Sequence, residues 1–244
     1  MSPHTATKSA HKTAGNSVDA MFEVGAHYGF IKSRRHPTVK PFIFGTKNSV
    51  EIFNLELTDA QLANAEVFAQ KIVESGKQIL FASGKSEAKT IIQRGAELAN
   101  MPYVAGRWVG GTFTNFDMLR KRVEKLLDLT SQKEKGELNK YTKKERLLLD
   151  REMARLHNLF GGVISMKSLP GALFVIDAKK EHIAVAEAID AGIPVIALTG
   201  SDNNISTIKY PIVANDSSVD SIAFFVNRMA NAIKNAGKAV VDSK

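Results

Sequence analysis

Two short apolar runs, each free of charge, dominate the hydrophobic pattern of this chain: Ala172 to Ile176 and Pro194 to Leu198. Unbroken apolarity over so few residues suits a strand covered on both faces. From about Lys180 the pattern changes to a helical period, with Ile183, Ala186 and Ile189 recurring on one side and Gly192 placed as a stop. Pro194 opens the second run, where a missing N–H is tolerated. Seventeen residues (177–193) separate the runs, too many for a hairpin and enough for a helical crossover. Strand, helix and parallel strand predict a right-handed βαβ unit. The fold class is α/β.

The same reading extends in both directions. Residues 18–26 predict one short helix, Phe42-Ile43-Phe44 a strand with both rings turned inward, and Val50 to Phe53 a half-buried strand. Thr58-Asp59-Ala60-Gln61 has the form of a capping box. The helix it opens carries Leu62, Ala65, Phe68, Ala69, Ile72 and Val73 at helical spacing and closes at Gly76. A strand over 78–82, a helix over 86–98 and a short strand at Tyr103-Val104-Ala105 follow. The chain ends with a strand around Pro211-Ile212-Val213 and an amphipathic helix over 218–234, through Ile222, Phe225, Val226, Met229 and Ile233.

Residues 117–158 break that rhythm. Leu119, Val123, Leu126 and Thr130 are spaced four, three and four, and Leu149, Met153, Leu156 and Phe160 repeat the spacing. A polar tip from Ser131 to Tyr141 and a second capping box, Thr142 to Glu145, join the two segments. They predict an inserted antiparallel coiled-coil hairpin that projects from the α/β body. The chain thus divides into a disordered basic arm (1–17), an α/β domain (18–116 and 159–236), the hairpin (117–158) and a frayed C-terminus (237–244).

The charge changes this picture most. The chain of 244 residues carries 33 Lys+Arg against 25 Asp+Glu, a net of +8. Residues 1–40 hold six basic and two acidic side chains, and residues 117–158 hold twelve and eight; elsewhere the signs cancel. All the excess positive charge therefore lies in an N-terminal stretch and in the hairpin, as in a protein that meets a polyanion on two defined surfaces. In the first, Lys32, Arg34, Arg35, His36 and Lys40 form a basic loop flanked by Tyr28, Phe30, Phe42 and Phe44; Arg34, Arg35 and Lys40 suit phosphates. Arg107 and Asn115, around the only tryptophan, Trp108, suit a polar interface, whereas Trp108 itself reads as a core indole. Arg120, Lys121, Lys125, Lys143 and Lys144 supply a docking face on the hairpin.

Chemistry is sparse. Cysteine is absent, which excludes disulfides and thiolate sites and agrees with a cytoplasmic setting. No run approaches a membrane span. No dinucleotide fingerprint or nucleophile elbow occurs, and the histidines show no metal spacing. Ser83-Gly84-Lys85-Ser86 imitates a phosphate loop, but the position five residues before Gly84 is Ile79 rather than glycine, so it reads as an ordinary βα turn. Lys85 with the helix N-terminus keeps the capacity to meet a single phosphate. Asp177, Glu181 and His182 stand just past a strand end and read as helix-start residues. No catalytic residue, metal or cofactor is expected. A sugar-phosphate or nucleotide enzyme and a protein-only scaffold remain as alternatives.

Several blocks resemble one family. Gly25-Ala26-His27-Tyr28-Gly29, Lys40 to Gly45, Arg107 to Asn115, Leu173 to Asp177 and Gly192 to Val195 occur in the order seen in the bacterial small-subunit ribosomal protein S2 family, over about residues 18–236. The chain departs from the family pattern at Phe30, at His36-Pro37 and across Thr199 to Asn204. The resemblance implies a Rossmann-like (flavodoxin-like), mostly parallel sheet with a protruding hairpin. It implies a structural protein, not an enzyme, that binds small-subunit (16S-type) rRNA, contacts neighbouring small-subunit proteins and joins assembly late. It also implies a part in holding ribosomal protein S1, with no membrane and no small-molecule substrate.

Overall fold

The computed structural model describes residues 17–242; the arm expected over 1–17 lies, apart from Ser17, outside them. A first helix (α1, residues 17–23) leads into β1 (Tyr28–Ile31), β2 (Ile43–Lys47) and β3 (Val50–Phe53). These three strands form a small antiparallel sheet in the order β1-β3-β2. Then come α2 (Leu55–Glu74), β4 (Ile79–Ser83), α3 (Ser86–Ala99) and β5 (Tyr103–Ala105). Helices α4 (Phe116–Glu134) and α5 (Lys143–Phe160) follow, and β6 (Ala172–Ile176), α6 (His182–Asp190), β7 (Val195–Thr199), β8 (Tyr210–Val213) and α7 (Val219–Asp242) complete the chain. The helix α7 runs on through most of the tail read as frayed.

The main sheet is wholly parallel in the order β5-β4-β6-β7-β8. Counted from β4 this is the 2-1-3-4-5 order of flavodoxin-like sheets, whose chain reverses direction across the first and third strands. Every residue of β4, β6 and β7 is buried, so their apolar runs are continuous for the reason the sequence suggested. Alternation then divides them. Ile79, Phe81, Phe174, Ile176, Ile196 and Leu198 pack under α2, α3 and α7, while Leu80, Ala82, Leu173, Val175 and Ala197 face α6 and the base of the hairpin. Phe81 and Phe174 are register partners whose rings meet edge to face at 5.1 Å.

Four local expectations are corrected. Helix α2 starts three residues before Thr58, because Asn54 caps it by accepting from the Glu56 and Leu57 N–H groups. Thr58 and Gln61 serve the sheet instead: the Thr58 hydroxyl donates to the Val213 carbonyl (2.7 Å) and Gln61 Oε1 accepts from the Val213 N–H (2.9 Å), which closes the edge of β8. Helix α6 buries Ala184, Val185, Glu187 and Ala188 and leaves Ile183, Ala186 and Ile189 exposed, the reverse of the apolar side read from the sequence. Phe44 is 78% exposed, since β2 is an edge strand with that face uncovered; Phe42 packs partly against the core.

Helices α4 and α5 pack on each other. Leu119, Val123 and Leu126 are buried opposite Met153, Leu156 and Phe160, with Leu149 half-buried. The seam's last member on α4 is Leu129, not Thr130, which is exposed and returns its hydroxyl to the Leu126 carbonyl. Thr142 and Glu145 make the expected capping box. At the far end the chain returns through Gly162, where a Cβ would collide with the carbonyl and ring of Tyr103. That close approach brings the hairpin base against β5.

Candidate nucleic-acid interface

The basic loop follows from two short helical turns, Lys32–Arg34 and Pro37–Phe42, between β1 and β2. Its mounting lies on the loop after β7. Ser201 is wholly buried; its hydroxyl accepts from the Phe30 N–H (2.9 Å) and its carbonyl from the His36 N–H (2.8 Å). Thr38 Oγ1 accepts from the Ile205 N–H at 3.3 Å and meets His36 Nδ1 at 2.8 Å. Neutral hydroxyls and main chain thus hold the loop, and most of its cations stay outside. Lys32, Arg34 and Lys40 are exposed, with the Arg34 guanidinium over the Phe30 ring, 5.5 Å from its centroid.

Arg35 stands apart from them. Its Nη1 is 3.0 Å from Glu51 Oε1, and the Glu51 side chain is fully buried. This arginine neutralises a carboxylate inside the protein, while 24% of its side chain stays accessible beside its neighbours. His36 is half-buried and spends both its N–H and its ring on the loop's own fold.

Arg107 and Asn115 are exposed, as expected, at either end of the loop after β5. That loop is organised by a residue that went unread, Glu187 of α6. Its carboxylate accepts from the Gly111 N–H (2.8 Å), the Phe113 N–H (2.9 Å) and, at 3.3 Å, Trp108 Nε1. Trp108 and Phe113 are buried with rings edge to face. A glutamate three residues after Ala184 and one before Ala188 was the available signal: it lies among the small residues that pack inward.

The carboxyl ends of β4, β6 and β8 hold a third constellation. Lys85 Nζ lies 2.9 Å from Asp177 Oδ2 and 3.2 Å from Asp216 Oδ2, and donates to the Asp216 carbonyl at 2.7 Å. The Glu181 carboxylate accepts from the Gly84 N–H at 2.6 Å. In doubly wound folds a ligand's phosphate takes that position; here a side chain fills it and Lys85 is consumed internally. Burial works to lower the Lys85 pKa, yet Asp216 and Asp177 together hold it above its ordinary value. Burial likewise raises Glu181.

Asp216 is raised from 3.8 to about 6, by burial first and by Asp177 next, against the pull of Lys85. A carboxyl raised in the folded state stabilises the fold fully below its unfolded value and loses that contribution as pH climbs through about 6. Relative to Asp216→Asn, the wild-type chain is expected to lose roughly 2 to 3 kcal/mol between about pH 4 and pH 7. Paired melting curves at the two pH values check this. Parallel pH profiles would show that Asp216 titrates normally.

On the hairpin, Lys121, Lys125, Lys143 and Lys144 are exposed. Arg120 is half-buried, with Nη1 donating to the Met166 carbonyl at 3.2 Å, so it ties α4 to the body. Among the described residues there is no cluster of side chains able to hold a metal ion, and no helix is long and apolar enough to cross a membrane.

Comparison with known proteins gives one consistent result. The family model described as ribosomal protein S2 matches residues 21–236. A small ribosomal subunit protein uS2 from Chlorobium chlorochromatii (strain CaD3) is 40% identical over 228 residues, covering 93% of this chain and 90% of the relative. Its counterpart from Roseiflexus sp. (strain RS-1) is 41% identical over 216 residues, 88% of this chain and 82% of that protein. One from Chloroherpeton thalassium is 40% identical over 219 residues, with 90% and 88% covered.

Proposed function

Because the chain belongs to the ribosomal protein S2 family, a family of structural proteins of the small ribosomal subunit, we propose that it binds small-subunit rRNA through its basic loop and its hairpin. The observation that carries this reading is the mounting of Lys32, Arg34 and Lys40, exposed on a loop whose own hydrogen bonds are satisfied from behind by Ser201. A loop held that firmly presents its cations with little ordering left to do on contact. Arg107 and Asn115, on the loop at the carboxyl end of β5 in the parallel sheet, extend the surface. Arg35 serves from within, by keeping Glu51 neutralised under the loop.

The filled strand-end cleft favours this reading over an enzyme, because the position a substrate phosphate would need is taken by Glu181. The resemblance extends the proposal to late subunit assembly in the cytoplasm, to contacts with neighbouring small-subunit proteins and to holding ribosomal protein S1. Loss of S1 from subunits assembled without this chain tests that last part.

The central test is a salt titration of rRNA binding. Each phosphate contact contributes roughly 0.7 to 0.9 to the slope of log affinity against log salt. Lys32→Gln/Arg34→Gln/Lys40→Gln is expected to flatten the slope by about 2 while leaving the melting temperature unchanged. Arg35→Gln is expected to do the opposite, lowering stability by about 2 kcal/mol through the stranded Glu51. A triple variant with the wild-type slope would remove the loop from the interface.

A further inference from the structure

At β8, the edge of the parallel sheet opposite β5 and the hairpin base, α2 and the strand enclose a groove of about 440 Å³, a size usual for small-ligand sites. Gln61, Asn64, Phe68 and Lys71 line one wall, spaced three, four and three along α2. Lys209, Tyr210 and Pro211, at the amino end of β8, line the other. The Phe68 and Tyr210 rings stack at 4.1 Å, 16° from parallel. Lys209 Nζ stands over the Tyr210 ring, 6.0 Å from its centroid.

Both lysines are exposed, and no carboxylate lines the groove. Of the acids along this part of α2, Asp59 accepts from the Ser17 hydroxyl at 2.7 Å and Glu66 pairs with Arg228 of α7 at 3.0 Å. The lining therefore favours an anion. It does not suit a peptide added as a strand, although β8 is an edge. The Val213 N–H donates to Gln61 Oε1, and the Val213 carbonyl accepts from the Thr58 hydroxyl. Pro211, two residues before it on the same edge, has no N–H to offer. Recognition in this groove falls to side chains, and the side chains present are a ring pair, two ammonium groups and two amides.

We propose that this groove is a nucleotide site, which takes one unpaired base against the Phe68–Tyr210 pair and its phosphate between Lys71 and Lys209. A ligand that joins a flat ring to a phosphate matches both halves of the lining at once, because every base has a face to stack on an aromatic side chain. Gln61, whose oxygen is committed to Val213, keeps its NH₂ as a donor toward a base edge, and the exposed Asn64 amide adds a donor and an acceptor. Two sources carry this chemistry: a free mononucleotide and an unpaired nucleotide within an RNA strand. The site is separate from the basic loop. That loop is mounted on Ser201, past the carboxyl end of β7, whereas the groove lies at the amino end of β8.

The test uses the full chain and a short single strand of 5-bromouridine RNA, cross-linked by light to the rings it touches and mapped by mass spectrometry. The cross-link is expected on the peptide holding Phe68 or on that holding Tyr210. Lys71→Gln/Lys209→Gln leaves both rings in place and is expected to lower that yield about tenfold, with the melting temperature unchanged. Lys32→Gln/Arg34→Gln/Lys40→Gln is expected to keep the yield, since the basic loop lies elsewhere. Uridine monophosphate that competes the cross-link away would show that free nucleotides are taken as well; a cross-link that resists it assigns the site to RNA strands. Cross-links found only outside the groove, or a groove yield indifferent to both lysines, would overturn the proposal. Equal competition by polyglutamate of matched charge would also overturn it, because the groove would then be an anion trap without a place for a base. Each of these failures leaves the salt slope of rRNA binding through the basic loop as it is, so the two readings fall separately.

Discussion

Replacing Glu187 by alanine is expected to be among the most damaging single changes in the body of the protein, costing about 3 to 5 kcal/mol. The glutamate carboxylate accepts from two backbone N–H groups, of Gly111 and Phe113, and from the indole of Trp108. Bonds to an ionised acceptor contribute roughly 1.5 to 3 kcal/mol each, and truncation leaves these donors without their partner. For a chain of this size that is about 10 °C in Tm. Glu187→Gln should fall between: the amide oxygen can keep Gly111 and Trp108, but its NH₂ would face the Phe113 N–H. Trp108 is the only tryptophan, so its emission reports the loop directly and should shift to the red in the folded alanine variant. A melting temperature within about 2 °C of wild type and unchanged emission would show that the loop is held by packing alone.

The contrast between Glu187 and its helix shows what was legible in the sequence and what was not. The runs at β6 and β7 could be read because a strand buried on both faces needs no decision about orientation. Helix α7 could be read because Ile222, Phe225, Val226, Met229 and Ile233 present one apolar stripe, and all five are wholly buried. Helix α6 carries two candidate stripes. Hydropathy prefers Ile183 and Ile189, but the face that packs inward carries Ala184, Val185 and Ala188, and the carboxylate of Glu187 goes inward with them to meet the donors of Gly111 and Phe113. The same kind of partner decides Thr58, whose hydroxyl goes to the carbonyl of Val213, a residue distant in sequence.

The carboxyl end of the parallel sheet is where the fold and the proposed function meet. In a ligand-binding relative of this architecture the loops after the strands would stay open around a cleft. Here the loop after β4 is closed by Glu181, Lys85 is fixed between Asp177 and Asp216, and the loop after β7 carries the basic loop on Ser201. The strand ends have become a platform that supports other loops. That arrangement makes Lys85, despite its Gly-Lys-Ser setting, a structural residue, and places the accessible cations one layer further out.

The other large effect is expected from shortening the hairpin, and the structure dictates where to cut. Leu119, Val123, Leu156 and Phe160 belong to the same buried cluster as Trp108, Phe113 and Val163, and Arg120 is bonded to the Met166 carbonyl. Removal of 117–158 whole would therefore uncover apolar surface on the body, and aggregation is the expected result. Lys125 and Glu152 mark a better level, since their side chains already meet at 3.4 Å across the pair. Deleting 126–151 and joining these two residues by a short glycine-rich turn keeps the base of the seam and removes its outer part from both helices together, so little of either stripe is left exposed. This shortened chain is expected to unfold in one cooperative transition, a few degrees below wild type. It also loses Lys144 and Arg151, and its occupancy in small subunits isolated by sedimentation is expected to fall severalfold. A shortened chain that will not fold would make the outer hairpin part of the core. One that folds and still fills its place in the subunit would show that the hairpin beyond Lys125 has no part in docking.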